Sequence, residues 1–363
     1  MFTTPFDGLH KNLGANFENY CGFSLPADYG SPAAESAALY QHCCAFDLSA
    51  FARIAVSGSD APALIHSLFV SRTDNLESGS WTWAIAPDTC GSLLDIVRLC
   101  KINASYLILA SPRSRKKLLE IIKSISDQNG ISDLKIIDNT EKTGMLALYG
   151  PAAVNAFRNI VPIDIEDLEI GNCLSISLFM MPITVVRGSF LSLDGIELIA
   201  PAAACKLAAS AIEKYHKKEN ITPAGMECLE AALTEASLPI MLTDQLLPQR
   251  LPPAAYGLAA LLDPKKPQSN CRPTRQLVGL KLQGNAHQHR DLTVQYGGLE
   301  IGWTDRVVYS HKLACAYSLA IVDQEMADLS EEVQLTAPNF TMPAEIVPLP
   351  LDPTLNPKFF SPK

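Results

Sequence analysis

Two hydrophobic periods share this chain, and the balance between them changes once. In the first part, apolar residues recur at helical spacing in "SDAPALIHSLFVS", which predicts a helix over Ser59 to Ser71 capped by Ser59. "SPRSRKKLLEIIKSISDQNG" predicts a surface helix with Ser111 as cap, Pro112 in the first turn, an apolar stripe through Leu118, Ile121, Ile122 and Ile125, and Asn129-Gly130 as the stop. Strand patterns follow in "DLKIID" and "GMLALYGP", the second turning sharply at Gly150-Pro151. After a helix in "AAVNAFRNIV", the runs "CLSISLFMM" and "ITVVRGSF" predict neighbouring strands, and "DGIELIAP" one more. Two helices, "AAACKLAASAIEKYHKK" and "TPAGMECLEAALTEAS", close this α+β region, the second capped by Thr222 and led in by Pro223.

"LLDPKKPQSNCRPTRQ", residues 261–276, is rich in Pro, Lys and polar residues and has the composition of a linker. Beyond it the period shortens. "LVGLKLQG", "LTVQYGGLEIGWT", "CAYSLAIV" and "EEVQLTA" are short strands between turn residues, which predicts a small antiparallel barrel. The final "MPAEIVPLPLDPTLNPKFFSPK" is Pro-rich and is expected to lie extended along the body. No internal repeat is evident.

Two strands carry an acid where an aliphatic residue is expected. In "PDTCGSLLDIVRLCKI", a period of two puts Leu93, Asp95, Val97 and Leu99 on one face and Ser92, Leu94, Ile96, Arg98 and Cys100 on the other. Asp95 thus interrupts an aliphatic face, and Glu197 does the same in "DGIELIAP". An unpaired charge away from water costs several kcal/mol or forces the group to stay protonated, so each acid calls for a partner. An ordinary edge acid paired with a nearby base satisfies that need, and so does a functional carboxylate.

Composition removes several classes. With 363 residues, 48% hydrophobic and 18% charged, the chain can bury a large core. A net charge of -9 and scattered Lys and Arg, apart from "SRKK", argue against a nucleic-acid partner. No apolar run is long enough to span a membrane, and "MFTTPFDGLHKNLG" lacks the build of a signal peptide, so a cytoplasmic location is expected. The ten cysteines sit mostly in apolar segments and are expected to be reduced thiols. Neither Cys43-Cys44 nor "HQH" at His287 to His289 has metal-site spacing, so no metal is expected.

The order of the pieces resembles the glycine-cleavage T-protein family of folate-dependent aminomethyltransferases along nearly the whole chain. "GFSLPADYGSPAAESAALYQHCCAFDLSAFARIAVSGSDA" is similar to the family's G-W-x-x-P-x-x-Y-G, E, F-D-x-S and G-x-D/R-A, with Gly22, Pro26, Tyr29, Gly30, Glu35, Phe46, Asp47, Ser49, Gly58 and Asp60 in register. "CGSLLDIV" resembles G-G-x-x-D-D-L-x-V, "LALYGPAA" resembles A-V-Q-G-P-x-A, "FLSLDGIELIAP" resembles the end of G-Y-T-G-E-x-G-Y-E-I-x-x-P, and "LTEASLP" resembles L-E-A-G-L-P. The resemblance implies an α+β, three-domain clover-leaf fold around a central folate channel, with a C-terminal antiparallel β-barrel. It divides the chain into a region 1–260 of two α+β subdomains, a linker 261–276, and a barrel with its tail over 277–363.

It also implies roles. Asp95 matches the catalytic Asp, Glu197 the Glu that hydrogen-bonds the pterin ring, and Phe190 the aromatic near the folate. The implied cofactor is tetrahydrofolate, and the implied partner of a true enzyme is a lipoyl carrier protein bearing the aminomethyl group. The chain departs from the family in several places. Phe190 lacks the hydroxyl of the family's Tyr, Leu193 replaces the first Glu of G-Y-T-G-E, and Leu94 replaces one acid of D-D. Leu229 stands where the family has a folate-contacting Arg, and Tyr40 where an early helix carries another. Three functions remain open: a divergent tetrahydrofolate-dependent one-carbon transferase, a folate-binding relative without catalysis, and a scaffold in which both acids are structural. The flavin domain of the related oxidases and the K-G-C-Y-x-G-Q-E run of the iron–sulfur-maintenance branch are both missing from the sequence.

Overall fold

The computed structural model describes residues 1–128, 130, 132–178, 180–191, 193–238, 251–266, 273–283, 289, 292–328 and 332–355. Contacts divide the chain into two compact units. One comprises Met1–Leu68, Thr73–Ala84 and Val97–Leu229, the other Phe69–Arg72, Ile85–Ile96 and Glu230–Lys363.

The first unit is built on mixed sheets with helices against them. A six-stranded sheet has the order Cys173–Leu178, Met181–Arg187, Gly195–Pro201, Thr143–Tyr149, Cys43–Asp47, Ile221–Pro223. Its strands pair antiparallel except the last, which runs parallel to Cys43–Asp47. One face carries Leu146, Leu148, Ile196 and Leu198 into a core with Phe157, Ala204 and Ile212 of the helices Ala153–Ile160 and Ala202–Tyr215. Because side chains alternate along a strand, Tyr149 and Glu197 fall on the opposite face. A five-stranded sheet has the order Ser80–Pro87, Leu93–Ile102, Ser105–Ala110, Ala52–Ser57, Lys135–Asp138, and its first two strands run on into the second unit.

The second unit contains the expected barrel. Arg275–Leu282, Phe340–Val347, Glu332–Ala337, Thr293–Tyr296, Leu299–Thr304 and Cys315–Asp323 pair antiparallel in that order, and the last closes back on the first. Closure leaves no open edge among these six strands. The interior is Val278, Leu280, Val294, Val322, Leu335 and Ile346.

Several local expectations are corrected. The early helix is Ala61–Leu68, shorter than Ser59 to Ser71. Ser59 does not cap it, for the first helical bond runs from Leu64 N–H to the Asp60 carbonyl, while Val70 leaves the helix to pair its N–H with Ile85. The surface helix is Arg115–Gln128, and its first helical bond runs from Leu118 N–H to the Ser114 carbonyl, so Ser114 stands in the place expected of Ser111. Asn129 lies outside the described residues. Thr222 and Pro223 belong to the strand Ile221–Pro223, and the helix they were expected to open is Met226–Glu235. The final segment is not merely extended along the body: Met342 to Val347 complete a barrel strand. Nine described cysteines are free thiols, and among the described residues no metal-ligand cluster exists; His287 lies outside them. No helix of the described residues is long and apolar enough to cross a membrane.

Two buried carboxylates fasten the amino-terminal segment to this unit. Asp47 accepts hydrogen bonds from Thr4 Oγ1 at 2.5 Å and from Ser49 N–H at 2.9 Å, and His10 Nε2 lies 2.9 Å away with Tyr29 Oη 2.7 Å from its Nδ1. Burial pushes the Asp47 carboxyl up, but His10, Ser49 and Thr4 outweigh it and hold the group below its usual range. Glu35 accepts from Tyr29 N–H at 2.6 Å and Gly225 N–H at 2.9 Å. Gly225 is required there, since a Cβ would sit 2.1 Å from the Ala27 carbonyl oxygen. Burial raises the Glu35 carboxyl from 4.5 to about 7 against those two donors.

The folded Glu35 therefore keeps its proton to about pH 7, whereas the unfolded group loses it near 4.5. Its contribution is complete below pH 4.5 and is lost as the pH rises through 7. Glu35→Gln should flatten that part of the stability curve, removing roughly 2 kcal/mol of decline after allowance for solvent screening. Urea denaturation of both proteins at pH 5, 6, 7 and 8 measures it; parallel curves would refute it.

Candidate functional site

Glu197 sits in the middle of Gly195–Pro201, opposite Ala147 of the neighbouring strand, so Tyr149 is its diagonal neighbour on the same face. The two Glu197 oxygens have different partners. Oε1 accepts a hydrogen bond from the Tyr149 hydroxyl, and Oε2 from Nη2 of Arg98. Tyr149 Oη in turn accepts from the Phe190 N–H at 3.3 Å. Arg98 and Glu197 have side chains with no exposure at all. Arg98 comes from the five-stranded sheet, on the strand face opposite Asp95.

The guanidinium is enclosed by rings. Its Cζ lies 4.0 Å from the Phe190 centroid, 5.1 Å from Trp81 and 5.9 Å from Trp83. Trp83 meets Trp81 edge-on at 5.7 Å and Phe190 at 5.8 Å, and Phe51 packs on Phe190 at 4.7 Å. Trp81 Nε1 donates to the Arg187 carbonyl at 2.9 Å, and its ring lies over Gly188, where a Cβ would be 2.6 Å from Trp81 Cζ2. Burial alone lowers the pKa of Arg98, but the adjacent Glu197 carboxylate more than reverses this, so the guanidinium is firmly charged. Burial raises the Glu197 carboxyl above its usual range, with Arg98 and Tyr149 pulling it back.

Two of the three expected site residues, Glu197 and Phe190, are thus brought together through Arg98. Both lie within the first unit. Asp95 belongs to the second, where it is 6% exposed and its Oδ1 accepts the Ile96 N–H at 2.8 Å. Leu93 beside it donates its N–H to the Leu251 carbonyl at 3.0 Å, and Leu93, Val97 and Leu99 are all buried, as are Ile96, Arg98 and Cys100 of the other face.

Arg98, Tyr149, Trp81 and Trp83 were not singled out from the sequence. The signal for Arg98 was available, because the period that isolates Asp95 also places a cation between Ile96 and Cys100 on the other face. A carboxylate that accepts from a flat, forked donor beneath an aromatic face suits the N–H edge of a pterin. As folded, however, both oxygens are engaged and none of Arg98, Tyr149, Phe190 or Glu197 exceeds 1% exposure. The chemistry fits, and Arg98 holds the place.

Comparison with known proteins matches residues 6–266 to the GCVT N-terminal domain and residues 275–352 to the glycine cleavage T-protein C-terminal barrel domain. An aminomethyltransferase of Cutibacterium acnes is 25% identical over 96% of this chain and 97% of its own. A probable aminomethyltransferase of Natronomonas pharaonis is 25% identical over 96% and 98%. Among solved structures, the glycine cleavage system aminomethyltransferase T from Bartonella henselae superposes with a TM-score of 0.77 at 18% identity, covering 96% of this chain and 98% of that one.

A cycle of variants separates the pair's cost from its coupling. Glu197→Leu alone should destabilise by about 3–5 kcal/mol, because it strands a buried guanidinium. The double variant Arg98→Met/Glu197→Leu should recover most of that loss. Tyr149→Phe should cost about 1–3 kcal/mol by leaving a carboxylate oxygen unpaired. Urea denaturation measures all three, and a double variant no more stable than Glu197→Leu would contradict the assignment.

Proposed function

The chain belongs to the glycine cleavage T-protein family, aminomethyltransferases of tetrahydrofolate-dependent one-carbon transfer, and from that membership we propose that it binds a reduced folate and serves this chemistry in the cytoplasm. The observation that supports this most is the seat itself: Glu197 accepts from a planar N–H donor beneath Phe190. In this reading Glu197 takes the N–H edge of the pterin, Phe190 packs on its face, and Tyr149 fixes the carboxylate that does so. The folate supplies the amines that accept the one-carbon unit. Asp95 is assigned to stabilise positive charge as it develops on those amines or to relay a proton, and its burial strengthens either effect. A lipoyl-bearing carrier protein would deliver the aminomethyl group.

The rest of the shell differs from the family. Leu229, at the family's Arg position, is fully buried and offers no side-chain donor to an anionic tail. That difference, with Arg98 in the seat, weakens folate recognition, and it is the observation behind a second reading, a folate-binding relative without aminomethyl transfer.

Titration calorimetry with tetrahydrofolate decides the binding step. The wild type should bind, and Glu197→Gln should bind about 2–3 kcal/mol more weakly; no heat at high ligand concentration would refute the proposal. Ammonia release from an aminomethyl-loaded lipoyl carrier decides between the two readings. For a catalyst, Asp95→Asn should lower turnover by roughly 10²-fold while leaving the folate heat unchanged. Wild-type release no faster than buffer would select the non-catalytic reading, and full activity in Asp95→Asn would remove Asp95 from the chemistry.

A further inference from the structure

The first unit buries two arginines completely, and it treats them differently. Arg53 donates from Nε to Thr143 Oγ1 at 2.8 Å, from Nη1 to the Phe51 carbonyl at 2.6 Å, and from Nη2 to the carbonyls of Ser49, Thr140 and Thr143. Every nitrogen is used, as a guanidinium serving the fold requires. Arg98 donates only from Nη2, and its Nε and Nη1 are buried with no hydrogen-bond partner among the described residues. What surrounds it instead are the faces and edges of Phe190, Trp81 and Trp83. Enclosing aromatic rings and a single carboxylate are what a binding site offers a flat ligand with N–H donors on one edge.

We propose that Trp81, Trp83, Phe190 and Glu197 form a receptor for the amidine-like edge of a planar ligand, and that Arg98 occupies it as an internal competitor the ligand must displace. The inference rests on the reading that this seat takes a pterin. A guanidinium and the 2-amino-pyrimidinone edge of a pterin both present N–H donors around one carbon in a π plane, so the same carboxylate and the same rings serve either. Arg98 brings a full charge; a pterin brings a larger ring face. In the G-G-x-x-D-D-L-x-V register, Arg98 stands at the closing Val. Ligand affinity is then reduced by the fraction of molecules in which Arg98 has left the seat.

The test compares wild type with Arg98→Ala. Tetrahydrofolate binding by calorimetry should be at least about tenfold tighter in the variant, since removing the competitor removes that fraction. Guanidinium chloride at low millimolar concentration should raise the melting temperature of Arg98→Ala, leave the wild type unchanged, and have no effect on Arg98→Ala/Glu197→Gln. In the wild type, folate addition should change the fluorescence of Trp81 and Trp83 as Arg98 leaves them, an effect that Trp81→Phe/Trp83→Phe abolishes. Equal folate affinity in wild type and Arg98→Ala overturns the competitor and leaves the pterin reading standing. No folate binding by either protein overturns both. Should Arg98→Ala fail to fold, Arg98→Met keeps the apolar stem, removes only the donors, and carries the same folate comparison.

Discussion

The buried ion pair of Arg98 and Glu197 is the constraint on which the first unit turns. Two charges held wholly out of water cost several kcal/mol each, and their attraction offsets this only where the remaining polar atoms are also served. Glu197 meets that condition through Tyr149, which is itself set by the Phe190 N–H. Arg98 meets it only in part, and ring faces replace hydrogen bonds at the rest of its fork. The pair also fixes geometry. Arg98 stands on the five-stranded sheet and Glu197 on the six-stranded one, so the pair joins the two sheets, and losing either partner strands a charge in the other.

Other polar groups buried in this unit show what a saturated arrangement looks like. Asp47 gathers Thr4, His10 and Ser49, Glu35 gathers two backbone N–H groups, and Arg53 spends its whole fork on carbonyls and a hydroxyl. These sites hold segments of the chain in place, and nothing is left over for a ligand. The seat at Glu197 differs in kind, because its donor is the least satisfied charged group in the unit's core and its walls are aromatic. Saturation serves the fold; incomplete satisfaction beneath aromatic faces is what the displacement proposal rests on.

Much of this was legible in the sequence where one period dominates. The barrel strands from Arg275 to Ala337 fall where alternation predicts them, and the acids Asp95 and Glu197 are both found as intrusions in apolar strands. Helix starts were less legible. Thr222-Pro223 has the local chemistry of a cap but is claimed by a parallel strand pairing with Cys44 and Ala45, a long-range contact that no local signal carries. Met342 to Val347 was hidden by its Pro-rich surroundings, although Pro343 is accommodated in the barrel strand. Arg98 was placed on the correct strand face but its partner lies 99 residues away, and only the pairing of Tyr149 and Glu197 in space reveals why a cation belongs there.

The departures from the family make joint physical sense around that cation. A buried carboxylate must survive in the folded chain, and a buried anion without a counterpart would be unstable or protonated. Water commonly answers this need in an open site. Here the site is closed, with no exposure at Glu197, and the chain itself provides a counterpart. Arg98 supplies it, while Leu229 and Leu193 take apolar character at positions where the family is charged. On the proposal that a ligand displaces Arg98, whatever stabilises the seat with Arg98 inside is also what that ligand must overcome.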